Sequence, residues 1–372
     1  MADFLNPEIV RKAQQIVSTN SLFYRDPVQK KNFNFICASL QRISTAVNFL
    51  NSHSDLPKEN TDFIHWFVYA NMLQSTIYCL FKNLNLDYKR AIAGKEKSYF
   101  NPTCEKNKLV VDDDGFFNYF RALVFAHPTD TDNRSGQPKK IYSPLAYVDE
   151  RRKEVGAMIY TGGEEGIDLL QVPFALLKDY INNRYQLLNH LIDYLDGIIK
   201  EKTEEWKKRK ININAQPLTA LKNLVEVLKE RYIDHNEFDE LITYFTLESS
   251  VPANNEAISK YRKAIVSAIP ILCNAIVDMD YNKMFNTLSQ LVGWGGVPNG
   301  LYEGANDDLE KIFSLSYQMQ PSDIWWALRC VDNFSDNFAK KWVIIDTKHM
   351  SFDEIKLLIA TACYCEKENF KN

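Results

Sequence analysis

The sequence has no long hydrophobic run. Nowhere among its 372 residues do about 18 consecutive apolar side chains occur, which is roughly the length that a membrane span needs. The first residues, MADFLNPEIVRK, also lack a basic stretch leading into an apolar one, which is the pattern of an export signal. We therefore expect a cytoplasmic protein that does not enter a membrane.

The sequence also lacks the patterns of metal sites and disulfide frameworks. Its seven cysteines are odd in number and scattered, and Cys363 and Cys365 stand too close for a CxxC pair. Acidic residues cluster at 112–114 and 130–132, but a calcium loop beginning at Asp130 would need glycine where Ser135 stands. We expect reduced thiols, no metal and no cofactor.

Motifs that cradle phosphates or present a nucleophile are missing as well. The stretches TGGEEG and GWGGVPNG have neither the GxGxxG spacing nor the GK[ST] ending, so they are expected to be loops. No GxSxG elbow occurs. With 44 basic against 48 acidic residues the net charge is -4, so any binding of nucleic acid must be local.

Apolar residues recur at steps of three and four along most of the chain, which predicts a mainly α-helical protein. The clearest candidates before residue 200 are helices over about 28–50, 62–84, 116–126 and 174–199, with Asp114 or a neighbour capping the third. Residues 145–148 and 155–160 flank a charged stretch and predict a small β-hairpin. Seven further helical patterns follow residue 217.

A charged run, KEKTEEWKKRK at 200–210, leads into the loop-like segment ININAQP. We expect a solvated helix face there and a boundary between two domains, over residues 1–200 and 201–372. The second domain is expected to be wholly helical. Trp325 and Trp326 lie in it and predict either core packing or a helix-docking surface.

An arginine precedes a histidine by six residues in two places, Arg121 with His127 and Arg184 with His190. Side chains six apart on a regular helix point about 120° away from each other, so the second pair, inside a long helix, is expected to consist of surface or boundary residues. Pro128 ends the first helix at His127, and the imidazole can swing back toward the guanidinium. Such a pair can cleave RNA without a metal: histidine moves a proton and arginine stabilises the phosphorane.

The segment FRALVFAHP, Phe120 to Pro128, resembles the motif of the HEPN superfamily, in which an arginine and a histidine are four to six residues apart. The helices around it also follow the order of that family, and the resemblance covers roughly residues 28–200. It implies an HEPN-like helical bundle and an endoribonuclease of a toxin or antiviral defence system, with single-stranded RNA or tRNA as substrate. A homodimer is implied too, because the site usually lies in a groove between two copies.

The resemblance assigns His127 as the catalytic acid or base and Arg121 as the residue that stabilises the phosphate. Thr129, Asp130 and Asn118 are candidates for binding substrate or orienting the histidine. The chain departs from the family at Ala122, where a polar residue commonly follows the arginine.

Three hypotheses follow. The first is the endoribonuclease, with residues 201–372 serving regulation or assembly. The second is a non-catalytic helical scaffold or a nucleotide- or protein-binding module, which Ala122 and the net charge of -4 favour. The third is a nucleotidyl-binding partner or an antitoxin-like subunit, which would co-purify with a second, regulatory protein.

Overall fold

The computed structural model describes residues 3–128, 131–132, 140–161, 167–212, 216–292, 301–315 and 321–371. They form two compact units, Met1–Lys202 and Thr203–Asn372. Each unit has its own hydrophobic core. The fold is mainly helical, which confirms the expected fold class.

The first unit is built around two long helices that pack against each other, α3 and α4, as the periodicity predicted. Their buried faces carry Leu40, Val47, Phe67 and Ile77, at the steps of three and four that place side chains on one stripe. The helices before the sheet are α1 (Pro7–Thr19), α2 (Leu22–Arg25), α3 (Lys30–Ser52), α4 (Asn60–Asn83), α5 (Tyr88–Ala91), α6 (Asn101–Lys106) and α7 (Asp113–Arg121).

The segment that follows α4 differs from the sequence-based expectation. The polar connector after α4 is not only loop, because α5 and α6 interrupt it. Helices this short gain little from their own hydrogen bonds and are stabilised by packing; Phe100 and Cys104 bury their side chains in the core here.

Between α7 and the next helix, which begins at Phe174, the chain forms an antiparallel sheet of five described strands, which is larger than the expected hairpin. The predicted pair is present, since Ala146 is opposite Ala157 and Asp149 is opposite Glu154. The sequence did not indicate the other three strands, which pair with β4 or through it. The strands are β1 (Thr131–Asp132), β2 (Lys140–Tyr142), β3 (Ala146–Asp149), β4 (Glu154–Thr161) and β5 (Ile167–Pro173).

One predicted helix, 174–199, is two helices: α8 (Phe174–Gln186) and α9 (Leu188–Lys207). At the junction the hydrogen bonds tighten, because Leu187 donates to the Arg184 carbonyl and His190 to the Leu187 carbonyl. Such bonds to the third residue back are typical of a 3₁₀ turn and interrupt the regular helix.

Helices are the only regular elements among the residues described beyond position 202, as expected. The seven segments with a helical pattern correspond to seven helices: α10 (Pro217–Glu230), α11 (Asn236–Thr246), α12 (Asn255–Val277), α13 (Tyr281–Ser289), α14 (Ala305–Leu315), α15 (Pro321–Asn337) and α16 (Phe352–Lys371). Within the described part of the chain, no helix has the length and apolarity to cross a bilayer.

The seven cysteines are free thiols, and burial raises the pKa of Cys363 to about 12.

Candidate functional site

The predicted active-site helix, α7, begins with three aspartates that have three separate tasks. Asp112 is the N-cap, since its Oδ1 accepts the backbone N–H of Gly115 at 2.7 Å. Asp113 is buried and accepts the backbone N–H groups of Ser98, Tyr99 and Phe100 at 2.8, 3.1 and 2.8 Å. Asp114 is not the cap; its carboxylate is committed to a buried network. The three therefore anchor the start of the helix.

At its other end α7 changes into a π-helical turn, Ala122–Ala126, which is followed by His127. The backbone N–H of His127 donates to the carbonyl of Ala122 at 2.9 Å, one residue further back than in an α-helix. Leu123 and Val124 are buried in the core and hold the turn in place. π-Turns are rare and occur frequently at functional sites.

His127 ends the helix, as Pro128 predicted. Its backbone, with φ -143° and ψ 53°, has left the helical region, and its side chain is exposed. Two hydrogen bonds fix the surrounding backbone to the sheet: the Thr131 hydroxyl donates to the His127 carbonyl at 2.6 Å, and the Ser143 N–H donates to the Pro128 carbonyl at 2.6 Å. The imidazole is thus exposed to solvent, while hydrogen bonds to the carbonyls of His127 and Pro128 fix the backbone that carries it.

Arg121 lies at the last α-helical position, directly before the π-turn, and is half-buried. Its Nε is buried and has no hydrogen-bond partner. Among the residues whose positions are described, no carboxylate pairs with this guanidinium, and no hydrogen bond joins it to the His127 imidazole. Arg121 and His127 therefore lie at the two ends of one turn without being bonded to each other.

The remaining predicted site residues have different outcomes. Asn118 is exposed one turn before Arg121, on the same side of α7. Thr129 and Asp130 lie outside the described residues. Thr131, which sequence reasoning missed, bonds to the backbone of the histidine instead. The one sequence feature that could have pointed to Thr131 is its position four residues after His127.

The second arginine of the sequence pattern, Arg184, was expected to be a surface or boundary residue, and that expectation is wrong. Its side chain is fully buried on α8 and its Nε donates to the Asp114 carboxylate at 2.8 Å. The Tyr180 hydroxyl donates to the same Asp114 oxygen at 2.6 Å, and the Tyr88 hydroxyl donates to the other at 3.0 Å. The guanidinium also lies over the Tyr180 ring, 4.8 Å from its centroid. His190, by contrast, is exposed as expected.

The charges in this network are set by burial and by the carboxylate. Burial raises the pKa of Tyr180 well above its usual value, and Asp114 raises it further. The same two causes raise the pKa of Tyr88. Burial lowers the pKa of Arg184, but Tyr180 and Asp114 outweigh it, and the net direction is upward. Both phenols therefore stay protonated donors and the guanidinium stays charged, which suits an anchor between α7 and α8.

In the second unit, Trp325 and Trp326 are exposed, at 54% and 53%, so they are not core residues. Their rings lie edge to face, with centroids 5.7 Å apart. The Arg329 guanidinium lies 5.0 Å from the centroid of the Trp325 ring, and the Lys311 ammonium lies 6.0 Å from that of Trp326.

Elsewhere in the second unit, burial lowers the pKa of Lys356, whose Nζ is 3.9 Å from Glu240. No group of three or more potential metal ligands occurs among the described residues of either unit.

Comparison with known proteins identifies no relative of this chain. No protein-family model matches the sequence, and no curated protein or solved structure is significantly similar to it.

Proposed function

We propose that the chain is an endoribonuclease of a toxin or antiviral defence type that works without a metal and cleaves single-stranded RNA or tRNA. The first unit would carry an HEPN-like catalytic domain acting as a homodimer, and the second would regulate or assemble it. The observation that carries the proposal is the end of α7: an exposed His127 and a half-buried Arg121 without a described carboxylate partner, separated by a π-turn.

The chemistry follows from the two side chains. The His127 imidazole accepts the proton of an attacking 2′-hydroxyl, the 2′ oxygen forms a bond to phosphorus, and the bond from phosphorus to the 5′ oxygen breaks. The leaving oxygen takes up a proton, and one product ends in a 2′,3′-cyclic phosphate. The Arg121 guanidinium stabilises the extra negative charge of the phosphorane, which suits its planar fork of donors.

The proposal predicts that cleavage depends on the 2′-hydroxyl. Purified protein should cleave single-stranded RNA or tRNA in the presence of EDTA and leave the 2′-deoxy version of the same oligonucleotide intact. Mass spectrometry should find a 2′,3′-cyclic phosphate on the upstream product. Because such proteins can depend on an activating signal, the parallel experiment expresses wild type and His127→Ala in cells and compares growth and RNA integrity. RNA that stays intact in both experiments would count against the proposal.

The second candidate function is a non-catalytic helical scaffold that makes protein contacts. It is favoured by the exposed pair Trp325 and Trp326, because large exposed aromatics are typical of binding surfaces. If this surface assembles the protein, the double variant Trp325→Ala, Trp326→Ala should shift the mass measured by sedimentation toward the monomer. Tyr24→Ala, at an exposed aromatic in the first unit, is the control. An unchanged mass would remove the assembly role from this surface.

A further inference from the structure

The sheet of the first unit has two unlike faces. One face is buried against the helices and carries Ile141, Val155, Ala157, Leu170 and Val172. The opposite face, which we call the outer face, carries Tyr142, Tyr160, Ile167 and Leu169, which are exposed by 43, 42, 60 and 44%. Exposed apolar side chains that are clustered in this way mark a binding surface more often than singly scattered ones do.

The register of the strands places the two tyrosines side by side. Tyr142 on β2 is directly opposite Tyr160 on β4, and Tyr160 is in turn opposite Ile167 on β5. Directly opposite residues on one face have Cβ atoms about 4.5–5.5 Å apart. The outer face therefore offers two neighbouring aromatic rings, each with a surface open to solvent.

The outer face is joined directly to the candidate catalytic turn. Ser143, the residue after Tyr142, donates its N–H to the Pro128 carbonyl, and Thr131 on β1 donates to the His127 carbonyl. The backbone of the candidate catalytic turn and the strand that carries Tyr142 are thus linked by hydrogen bonds.

At its far end the outer face meets a groove of about 680 Å³ that includes Tyr147, Leu169 and the exposed Arg151 and Arg152 of the turn between β3 and β4. The same turn also carries Asp149, Glu150 and Glu154, and the Asp149 carboxylate accepts the backbone N–H groups of Arg151 and Arg152, both at 3.1 Å. The Arg152 guanidinium is two-thirds exposed and only 3.9 Å from Asp149 at its nearest. Both arginines are exposed at this end of the outer face.

From these observations we infer that the outer face binds unpaired bases of a single-stranded RNA, which stack on Tyr142 and Tyr160 while the backbone runs toward Arg151 and Arg152. Aromatic rings beside cationic side chains are the usual way in which proteins hold single strands. Glu154 begins β4 directly after the turn that carries the two arginines, so the path from Tyr160 to that turn is about 20 Å long, at roughly 3.3 Å per residue. The inference rests on the proposed function, since it supplies that function with a surface that holds its substrate.

The test measures binding separately from cleavage. In the His127→Ala background, fluorescence anisotropy follows a labelled 12-nucleotide single-stranded RNA and the same RNA annealed to its complement. The variants are Tyr142→Ala with Tyr160→Ala, the ring-preserving pair Tyr142→Phe with Tyr160→Phe, and the control pair Tyr24→Ala with Tyr78→Ala, at exposed tyrosines elsewhere in the unit. Thermal melting verifies that every variant is folded.

Stacking contributes about 1–3 kcal/mol per base, so the alanine pair should weaken single-strand binding by at least tenfold. The phenylalanine pair should stay within threefold of the parent, the control pair should bind unchanged, and the duplex should bind more weakly than the single strand. Unchanged single-strand binding in the alanine pair overturns the inference, and so does an alanine pair that alters only the oligomeric state, which would make the face an interface between copies.

The two proposals fail separately. If wild type leaves RNA intact but the alanine pair loses binding, the nuclease proposal fails and the binding face stands. If wild type cleaves RNA and the alanine pair binds the single strand as tightly as its His127→Ala parent, the binding face fails and the nuclease proposal stands.

Discussion

His127→Ala is expected to lower the rate of RNA cleavage by about 10²–10⁴-fold, the range typical for loss of a general acid or base. Arg121→Ala is expected to lower it by about 10²–10³-fold, since it removes stabilisation of the phosphorane charge. Single-turnover cleavage of one labelled RNA, with enzyme in excess, measures both effects on the chemical step.

The chain supplies matched controls for this experiment. His190→Ala changes the exposed histidine of the other arginine–histidine spacing, and Arg90→Ala changes an exposed arginine of the same unit. Both should retain wild-type cleavage and the wild-type melting temperature. If His127→Ala cleaves as fast as His190→Ala, the imidazole has no part in the chemistry, and the scaffold hypothesis becomes the better account of the chain.

Asp114→Ala is expected to destabilise the first unit by about 3–5 kcal/mol, the cost of leaving a buried charge without its partner. The variant would leave the fully buried Arg184 guanidinium without its carboxylate partner, and would remove the acceptor of the Tyr180 and Tyr88 hydroxyls. Urea denaturation of the full chain, followed by a probe of the first unit such as hydrogen exchange in α7 and α8, measures the loss.

The control is Asp193→Ala, which removes an exposed carboxylate from α9 and should change stability by no more than about 0.5 kcal/mol. A double-mutant cycle isolates the pair. Asp114→Ala combined with Arg184→Met removes both charges, so it should cost clearly less than the sum of the two single variants. Additive losses would mean that the ion pair observed at 2.8 Å contributes nothing of its own.

The helical elements were predictable because their signal is local. In α3, Leu40 and Val47 recur on one stripe, and the pattern needs no knowledge of the partner helix. The end of α7 was predictable for the same reason, since a proline restricts the residue before it. The change from α to π at Ala122 was not, because nothing in ALVFA distinguishes the two hydrogen-bond patterns.

The sheet was predicted only in part, and the reason is its long-range pairing. The hairpin of β3 and β4 is joined by a short charged turn, whereas β2 reaches β4 from almost twenty residues away, with Tyr142 opposite Tyr160. Strands of two or three residues such as β1 and β2 are too short for an alternating pattern to stand out. The outer face, with its two tyrosines, therefore became apparent only from the register.

Local sequence was enough to predict that the protein is mainly helical, that a helix ends at His127, and that Arg121 stands six positions before it. Each of these three features depends only on residues that are close together in the sequence. The tertiary structure alone decided which arginine is buried: Arg184 and Asp114 are 70 positions apart and meet because α7 and α8 pack together. Arg184 is thereby an anchor, while Arg121 is half-buried near an exposed histidine and has no carboxylate partner among the described residues.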